Sequence, residues 1–354
     1  MYDVITMGSA VLDALIETDK ANIVSVSSVN AKKEFMAYPY GAKVEIDNFE
    51  FETGGGGVNA AVNFAKLGFK TAALVKIGDE IQSGEITNQL ETAGVSLDYV
   101  IKSKEYQTGF SIILTSFQGD RTVLAHRGAN AHLTIDDIDF NSLKNTKWLY
   151  LAPLNGESTM VLDKIAQFAD DNGINLAVNP GTSSIKQGKD RLYSILKTAK
   201  IVVLNKDEAS MLTGIDVRPD SANERFSQEI IHPDIIKMLK EIKAEKMLSA
   251  VITDGKYGTY AYDGEKFYHC GIFPAQTIST LGAGDAFAAA FTASMEKTSG
   301  DIELSLKYAS INAASVTSYY GAQTGLLSFE EIKKRLKEHP DFNVTAVLLK
   351  QPAL

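Results

Sequence analysis

The feature that most restricts how this chain can fold is the alternation of short apolar, β-rich runs with segments of helical spacing. The runs Thr71–Ile77, Lys147–Leu151, Ile174–Val178, Ile201–Leu204 and Ala250–Thr253 are predicted strands. Between them, Val58–Leu67, Thr159–Asp171 and Asp234–Lys246 carry helical patterns. Gly68, Gly94 and Gly173 stand where such helices stop, positions that call for positive φ. Alternation of this kind predicts an α/β fold: a central, mostly parallel sheet with helices on both faces. Ligands of such sheets bind beyond the carboxyl ends of the strands, so the residues just after each strand are the first candidates for chemistry.

Two regions depart from the rhythm. Phe35–Glu52 contains Tyr38-Pro39-Tyr40-Gly41 and then the alternating Val44, Ile46, Phe49 and Phe51. Gly109–His126 has the form of a hairpin, with Phe110–Ser116 and Arg121–His126 around Phe117-Gln118-Gly119-Asp120. Together they fit a small separate β-sheet, a lid over a site, and equally an antiparallel extension of the main sheet. The polar stretch Asp216–Ser227 reads as a surface insertion.

Composition narrows the function classes. The chain has 354 residues, 45% hydrophobic and 22% charged, which suits a globular protein large enough to bury its core without covalent staples. Its single cysteine, Cys270, has no partner for an internal disulfide, in keeping with a reducing compartment. A formal charge of −9 with no Lys/Arg run argues against binding long nucleic acid. Tyr2–Gly8 reads as a strand entering a turn and lacks the basic and apolar regions of a signal peptide. The most apolar helical stretch, Ala286–Met295, falls well short of the ~20 residues of a membrane span. A cytoplasmic protein with no membrane partner is expected.

Five clusters can carry chemistry. Thr53-Gly54-Gly55-Gly56-Gly57-Val58-Asn59-Ala60 lies between a strand-like run and a helix. It could bring backbone N–H groups and a helix dipole to a ligand, or be a tight turn that binds nothing. Its Gly55-x-Gly57-x-x-Ala60 also meets the loose dinucleotide fingerprint, with Asp79 at the distance of the ribose-binding acid. A dehydrogenase would explain this cluster but none of the others, and it expects the fingerprint on the first βα unit. Thr280-Leu281-Gly282-Ala283-Gly284-Asp285-Ala286-Phe287 opens the apolar helix. Gly282, Ala283 and Gly284 would form an anion hole for a transferring phosphoryl group, and Asp285 could take the proton of an attacking alcohol. The bland alternative is a first-turn Asp that complements the helix dipole.

Asn205 and Glu208 follow the strand Ile201–Leu204 at a spacing of three, so one helix face presents both. They could organise a hydrated Mg²⁺ and the phosphates it bridges. A helix cap explains the same spacing and is favoured by it. Thr253-Asp254-Gly255-Lys256-Tyr257-Gly258 offers a hydroxyl and backbone donors to a nucleotide, or simply opens a hairpin through Thr259–Tyr262 and Lys266–Cys270. Asp13, in Gly8-Ser9-x-x-x-Asp13, could accept hydrogen bonds from substrate hydroxyls or be a solvated turn residue.

Taken in order, these clusters resemble the PfkB family, which includes ribokinase, adenosine kinase and fructokinase-like enzymes. TGGGGVNAAVNFAKLG (Thr53–Gly68) and STLGAGDAF (Ser279–Phe287) are similar to its two signatures. Asn205-x-x-Glu208 resembles the family's magnesium and phosphate motif, and Thr253-x-Gly255-x-x-Gly258 its nucleotide loop. Gly128-Ala129-Asn130 and Gly321-Ala322 also fit, so the likeness runs over roughly residues 3–336. It implies a ribokinase-like kinase domain over 1–340, a β lid from about 14–50 and 104–127, and a C-terminal tail over 341–354. It implies transfer of the ATP γ-phosphoryl group to an alcohol, with Asp285 as base and Gly282, Ala283 and Gly284 as anion hole. Asn205, Thr253, Gly255, Gly258 and Ser310 would line the nucleotide site, and Glu208 would hold Mg²⁺ largely through water. Asp13, Gly55 and Asn59 would hold substrate hydroxyls. Family members often dimerise through their lids, so a homodimer is an option here.

The chain also departs from the pattern. Ser279 stands where an Asp, which helps bind a monovalent cation in some members, commonly begins the second signature; K⁺ is therefore an option rather than an expectation beside ATP and Mg²⁺. Gly56 stands where ribokinases proper carry a Lys, so ribose is not the assigned acceptor. His126 and Arg127 could reach an anionic group on the substrate or face solvent. The expected acceptor is a free sugar or related polyol, with a nucleoside second. A non-catalytic sugar-binding protein on the same fold is a remoter alternative, since it predicts loss of the base or anion hole.

Overall fold

The computed structural model describes residues 1–28, 31–115, 121–217 and 231–348. In chain order the strands are β1 Tyr2–Met7, β2 Val11–Glu17, β3 Asn22–Ser28, β4 Ala31–Ala37, β5 Asn48–Gly54, β6 Thr71–Gly78, β7 Val100–Ser103, β8 Gly109–Thr115, β9 Arg121–His126, β10 Thr146–Leu151, β11 Asn175–Val178, β12 Ile201–Asn205, β13 Ser249–Thr253, β14 Thr259–Tyr262, β15 Lys266–Cys270 and β16 Val344–Leu348. The helices are α1 Gly56–Lys66, α2 Gly84–Thr92, α3 Phe140–Leu143, α4 Leu162–Asp171, α5 Gly181–Lys186, α6 Lys189–Leu196, α7 Lys206–Thr213, α8 Pro233–Ile242, α9 Ala283–Lys297, α10 Ile302–Thr317 and α11 Phe329–Glu338.

A ten-stranded sheet runs in the order β16-β15-β14-β13-β12-β11-β10-β1-β6-β7. Neighbours from β13 through to β7 are parallel, and β14, β15 and β16 add on antiparallel. Because strand side chains alternate between faces, Ile5, Met7, Leu149 and Leu151 pack into one helical layer with α4, α6, α7 and α8. Val4, Trp148 and Tyr150 pack into the other, with α1, α9, α10 and α11. Parallel strands covered on both faces read as continuous apolar runs, which is why these strands were visible in the sequence. Gly68, Gly94 and Gly173 end their helices with φ of 86°, 77° and 66°, as expected of C′ residues.

The two irregular regions form a separate sheet, β5-β2-β8-β9, beside a two-stranded ribbon, β3-β4. The chain leaves β1 through Gly8–Ala10, and there a side chain stands in for a strand: Asn130 accepts from the Ala10 N–H at 2.8 Å and donates to the Ala10 carbonyl at 2.7 Å. This buried clamp holds the start of β2 beside the carboxyl end of β1. The hairpin tip Phe117–Asp120 and most of the Asp216–Ser227 stretch lie outside the described residues. The segment read from sequence as a tail, 341–354, contains β16, which pairs with β15 along its length from Lys266↔Leu348 to Cys270↔Val344. Its Val344 packs against the second core layer, so apolar contact with the sheet edge outweighs the polar character of the flanks.

Candidate active site

The candidate residues gather at the carboxyl ends of the parallel strands, beneath the second sheet. The glycine run 54–57 follows β5 and opens α1. Its members split by direction. Side chains at Gly55 and Gly57 would meet the backbone of Ser9 and Gly8 at 2.5 and 2.8 Å, so these two let α1 press against the turn after β1. A side chain at Gly54 would fall 2.3 Å from Oδ2 of Asp13, and one at Gly56 would lie 3.1 Å from Ala152 and Pro153 and 3.7 Å from Oδ1 of Asp285. Gly54 and Gly56 therefore keep open the space between two candidate carboxylates. The N–H groups expected to face a ligand here are already used: those of Gly57 and Val58 donate to the Ser9 carbonyl, and that of Gly56 to Ser9 Oγ. This end of α1 is a packing device rather than an anion cradle.

The start of α9 is different. Gly282 is the N-cap, at φ 74°, and no side chain caps this end. Among the described residues the N–H groups of Gly284 and Asp285 have no hydrogen-bond partner, while that of Ala283 reaches the Thr280 carbonyl at 3.4 Å. Unpaired N–H groups at a helix start favour an anion. Asp285 sits in this first turn and accepts from Asn59 Nδ2 at 2.9 Å. Burial pushes its carboxyl above the usual range, and the Asn59 hydrogen bond draws it partly back.

Asn59 is itself oriented. Gln323 Nε2 donates to Asn59 Oδ1 at 3.0 Å and to the Thr53 carbonyl at 2.9 Å, and Gln323 Oε1 accepts from Gln89 Nε2 at 2.9 Å. This chain of amides leaves Asn59 only its NH₂ to offer Asp285. Deeper in, Asn63 Nδ2 donates to the Ala286 carbonyl and Asn312 Nδ2 to Asn63 Oδ1, both fully buried. Polar groups taken out of water must be paired, so these asparagines fix α9 against α1 and α10.

On the neighbouring strands, Asn205 caps α7 in a reciprocal box: Asn205 Oδ1 accepts from the Glu208 N–H at 2.8 Å, and Glu208 Oε2 accepts from the Asn205 N–H at 3.1 Å. The cap favoured by spacing is thus present. Burial, with the charges of Asp285 and Asp207 adding to it, raises the Glu208 carboxyl against the pull of the Asn205 hydrogen bond. Asp285 and Glu208 consequently share one electrostatic site. Thr253 is in register with Asn205, and Asp254 pairs with Lys206 at 2.6 Å. Gly255 faces open space, whereas a side chain at Gly258 would lie 2.2 Å from the Cys270 carbonyl. The hairpin β14–β15 and the nucleotide-loop reading coexist. Ser310 is buried on α10, its Oγ 3.5 Å from Cys270 Sγ, so it lies under the loop rather than on an open face. Burial pushes the Cys270 thiol up to about 11.

On the second sheet, Asp13 of β2 is in register with Glu52 of β5 and Ser111 of β8. Burial raises the carboxyls of both Asp13 and Glu52. The Glu52 carboxylate rests on Gly321, where a Cβ would fall 2.1 Å from Oε2. A Cβ on Gly282 would fall 2.5 Å from Ala322 Cα. Three consecutive residues therefore touch three parts of the site: Gly321 the second sheet, Ala322 the start of α9, and Gln323 the residue that orients Asn59. Glu52, Gln323 and Gln89 were not singled out from the sequence. The adjacent Gly321-Ala322 was the one available signal, and it pointed to the loop without giving its contacts. Tyr150 was also missed; burial and the charge of Asp285 hold its phenol above the ordinary range.

Among the described residues no group of three or more His, Cys, Asp or Glu is placed to hold a metal ion, and no helix is long and apolar enough to cross a membrane. A family model described as pfkB family carbohydrate kinase matches residues 20–328. The chain is 27% identical to the deoxyribokinase of Salmonella typhimurium, over 84% of this chain and 91% of that protein. It is 25% identical, over 88% of its length, to the bifunctional ribokinase/ribose-5-phosphate isomerase A of Fructilactobacillus sanfranciscensis, of which it spans 55%. The solved structure of Arabidopsis thaliana ribokinase complexed with ribose and ATP matches with a TM-score of 0.72 at 23% identity, covering 95% of this chain and 99% of that one.

Proposed function

This chain belongs to the pfkB family of carbohydrate kinases, and from that premise we propose that it transfers the γ-phosphoryl group of ATP to a hydroxyl of a sugar or related polyol. The observation that carries the reading is the coincidence, in one helical turn, of a carboxylate with unpaired N–H groups at the start of α9. Asp285 takes the proton of the attacking hydroxyl while the N–H groups of the Gly282–Gly284 turn receive charge on the transferring phosphoryl oxygens. Asn59 holds Asp285 in place. A raised carboxyl is the better base here, since it binds the released proton more tightly than an ordinary Asp.

Nucleotide contacts fall to Asn205, Thr253 and Gly255 at the ends of β12 and β13. Gly258 and Ser310 support that loop from beneath. Asp13 accepts from acceptor hydroxyls beside Gly54 and Gly56, while Gly55 lets α1 close on Ser9 behind them. Glu208 fits Mg²⁺: it is a single carboxylate with one oxygen already in the cap box, which suits an ion that keeps its waters and takes ligands from substrate phosphates. Bound there, Mg²⁺ would neutralise phosphate charge. Ser279 Oγ accepts from the Leu281 N–H at 3.2 Å and offers no charge, which supports a kinase that does not depend on K⁺. The half-exposed Phe49, Phe51, Val123 and Leu124 of the second sheet support a homodimer formed through it.

The test is ADP release from Mg-ATP across sugars, sugar phosphates, sugar acids and nucleosides, with Asp285→Asn alongside. Acceptor-dependent release that disappears in the variant is expected. Equal release by both proteins would sink the assignment of the base.

A further inference from the structure

On the acceptor side of the site stands an acidic residue with no cationic partner among the described residues. Glu52 and Asp13 are paired in register across β5 and β2, so their carboxylates share a face. Gly321, Gly54 and Gly56 are the small residues against which Glu52, Asp13 and Asp285 respectively lie. No side chain at positions 54 and 56 therefore projects toward Asp13 or Asp285. Among the described residues no hydrogen bond or ion pair reaches the Glu52 carboxylate, and Asp13 has no cationic partner, only the Ser111 hydroxyl. No lysine side chain projects from position 56 to offset them.

We infer that Glu52 is a specificity-determining residue of the acceptor site, acting with Asp13 to favour an uncharged sugar or polyol and to turn away acceptors that carry a phosphate or a carboxylate. Ionised carboxylates only accept hydrogen bonds, and an uncharged polyol supplies hydroxyl donors to both. An anionic acceptor would meet two like charges in a partly desolvated pocket, an arrangement that disfavours its binding. Burial raises the Glu52 carboxyl, with the charge of Glu50 and then that of Asp13 adding to it, as expected of a group that lacks a partner until substrate arrives. The inference rests on the kinase reading above for the identity of this face as the acceptor side.

Calorimetric titration of the full chain, without nucleotide, tests it with ribose, fructose and xylitol against ribose 5-phosphate, fructose 6-phosphate and gluconate. Wild type is expected to bind at least one uncharged compound and to bind the anionic ones at least about tenfold more weakly. Glu52→Gln is expected to weaken the uncharged ligand by about tenfold or more, the scale of a hydrogen bond to a charged group, and to narrow the gap to its anionic counterpart. Glu52→Asp, which keeps the charge, should retain the discrimination. Wild type that prefers the anionic compounds or binds none of the six, or a Glu52→Gln protein with wild-type affinities and melting temperature, overturns the inference. ADP release measured in parallel separates the two readings. Discrimination in binding with no turnover defeats the kinase, and turnover indifferent to Glu52 defeats only the role of Glu52.

Discussion

The side-chain amide of Asn59 donates to the Asp285 carboxylate at 2.9 Å, joining residues 226 positions apart. The bond ties the first helix of the fold to the turn that holds the proposed base. Because the amide of Asn59 is oriented by Gln323 and that of Gln323 by Gln89, the carboxylate is positioned by a line of neutral donors rather than by a cation.

Removing the base should be decisive. Asp285→Asn is expected to lower kcat by ~10²–10⁴, the range for a positioned general base, with ATP affinity largely kept. Single-turnover phosphoryl transfer and nucleotide titration measure the two quantities separately.

The same substitution should stabilise the fold at neutral pH. A carboxyl whose folded pKa lies above its unfolded value binds its proton more tightly when folded. Stability is then lost as pH rises from the ordinary carboxylate range through the raised value. Asp285→Asn lacks that penalty. Its melting temperature is expected to exceed wild type at pH 7, and the difference should vanish below the ordinary Asp range. Thermal melts across pH check this.

Asn59 pulls the Asp285 carboxyl down, so removing its amide should move the acid limb of the kcat/KM profile upward. Asn59→Ala is expected to show that shift. Gln323→Ala, which only releases Asn59, should lower kcat by roughly 3–10-fold, the scale of one net hydrogen bond, with a smaller shift of the same sign. A merely structural role for Gln323 would leave the pH profile where it is.

Two glycines two residues apart should behave oppositely. Gly282→Ala places a side chain at φ 74° and 2.5 Å from Ala322, at a cost of ~1–3 kcal/mol. Gly284→Ala meets nothing within 4 Å and should be neutral or stabilising by ~0.5–1 kcal/mol through helix propensity. It should nonetheless slow turnover by up to about 100-fold, as expected when a reacting group is displaced by an ångström. Denaturant melts alongside initial rates would separate the packing glycine from the one that admits the phosphoryl group.

Replacing Na⁺ by K⁺ at constant ionic strength should leave wild-type turnover unchanged. Marked activation by K⁺ would show that Ser279 does not prevent a monovalent cation from binding.

Much of this architecture was legible because its signals are local. Strands such as β12 are buried from Ile201 through Leu204, so their apolar character survives in the sequence. The helix start at Gly282–Asp285 was legible for the same reason, since a helix start and its first turn lie within a few residues. The register of β2 with β5 was not, because it depends on which face of a short strand turns inward, and Glu52 went unnoticed with it. Gln323 acts on Asn59 across 264 positions, a relationship without a periodic trace. The glycine run misled in one respect: its flexibility was plain, but whether its N–H groups meet a ligand or Ser9 depends on where the turn after β1 comes to rest. The strand β16 was obscured by its short length and polar surroundings.

The loop Gly321-Ala322-Gln323 has a consequence for how such a protein can diversify. On the roles proposed above, acceptor preference, phosphoryl reception and placement of the base meet there in three successive residues, so a change of length or bulk would disturb all of them at once. The faces of β2, β5 and β8 carry no such shared burden. New acceptors are therefore most readily accommodated by exchanging Asp13, Glu52 and Ser111 on the second sheet, while the loop keeps the transfer machinery in alignment.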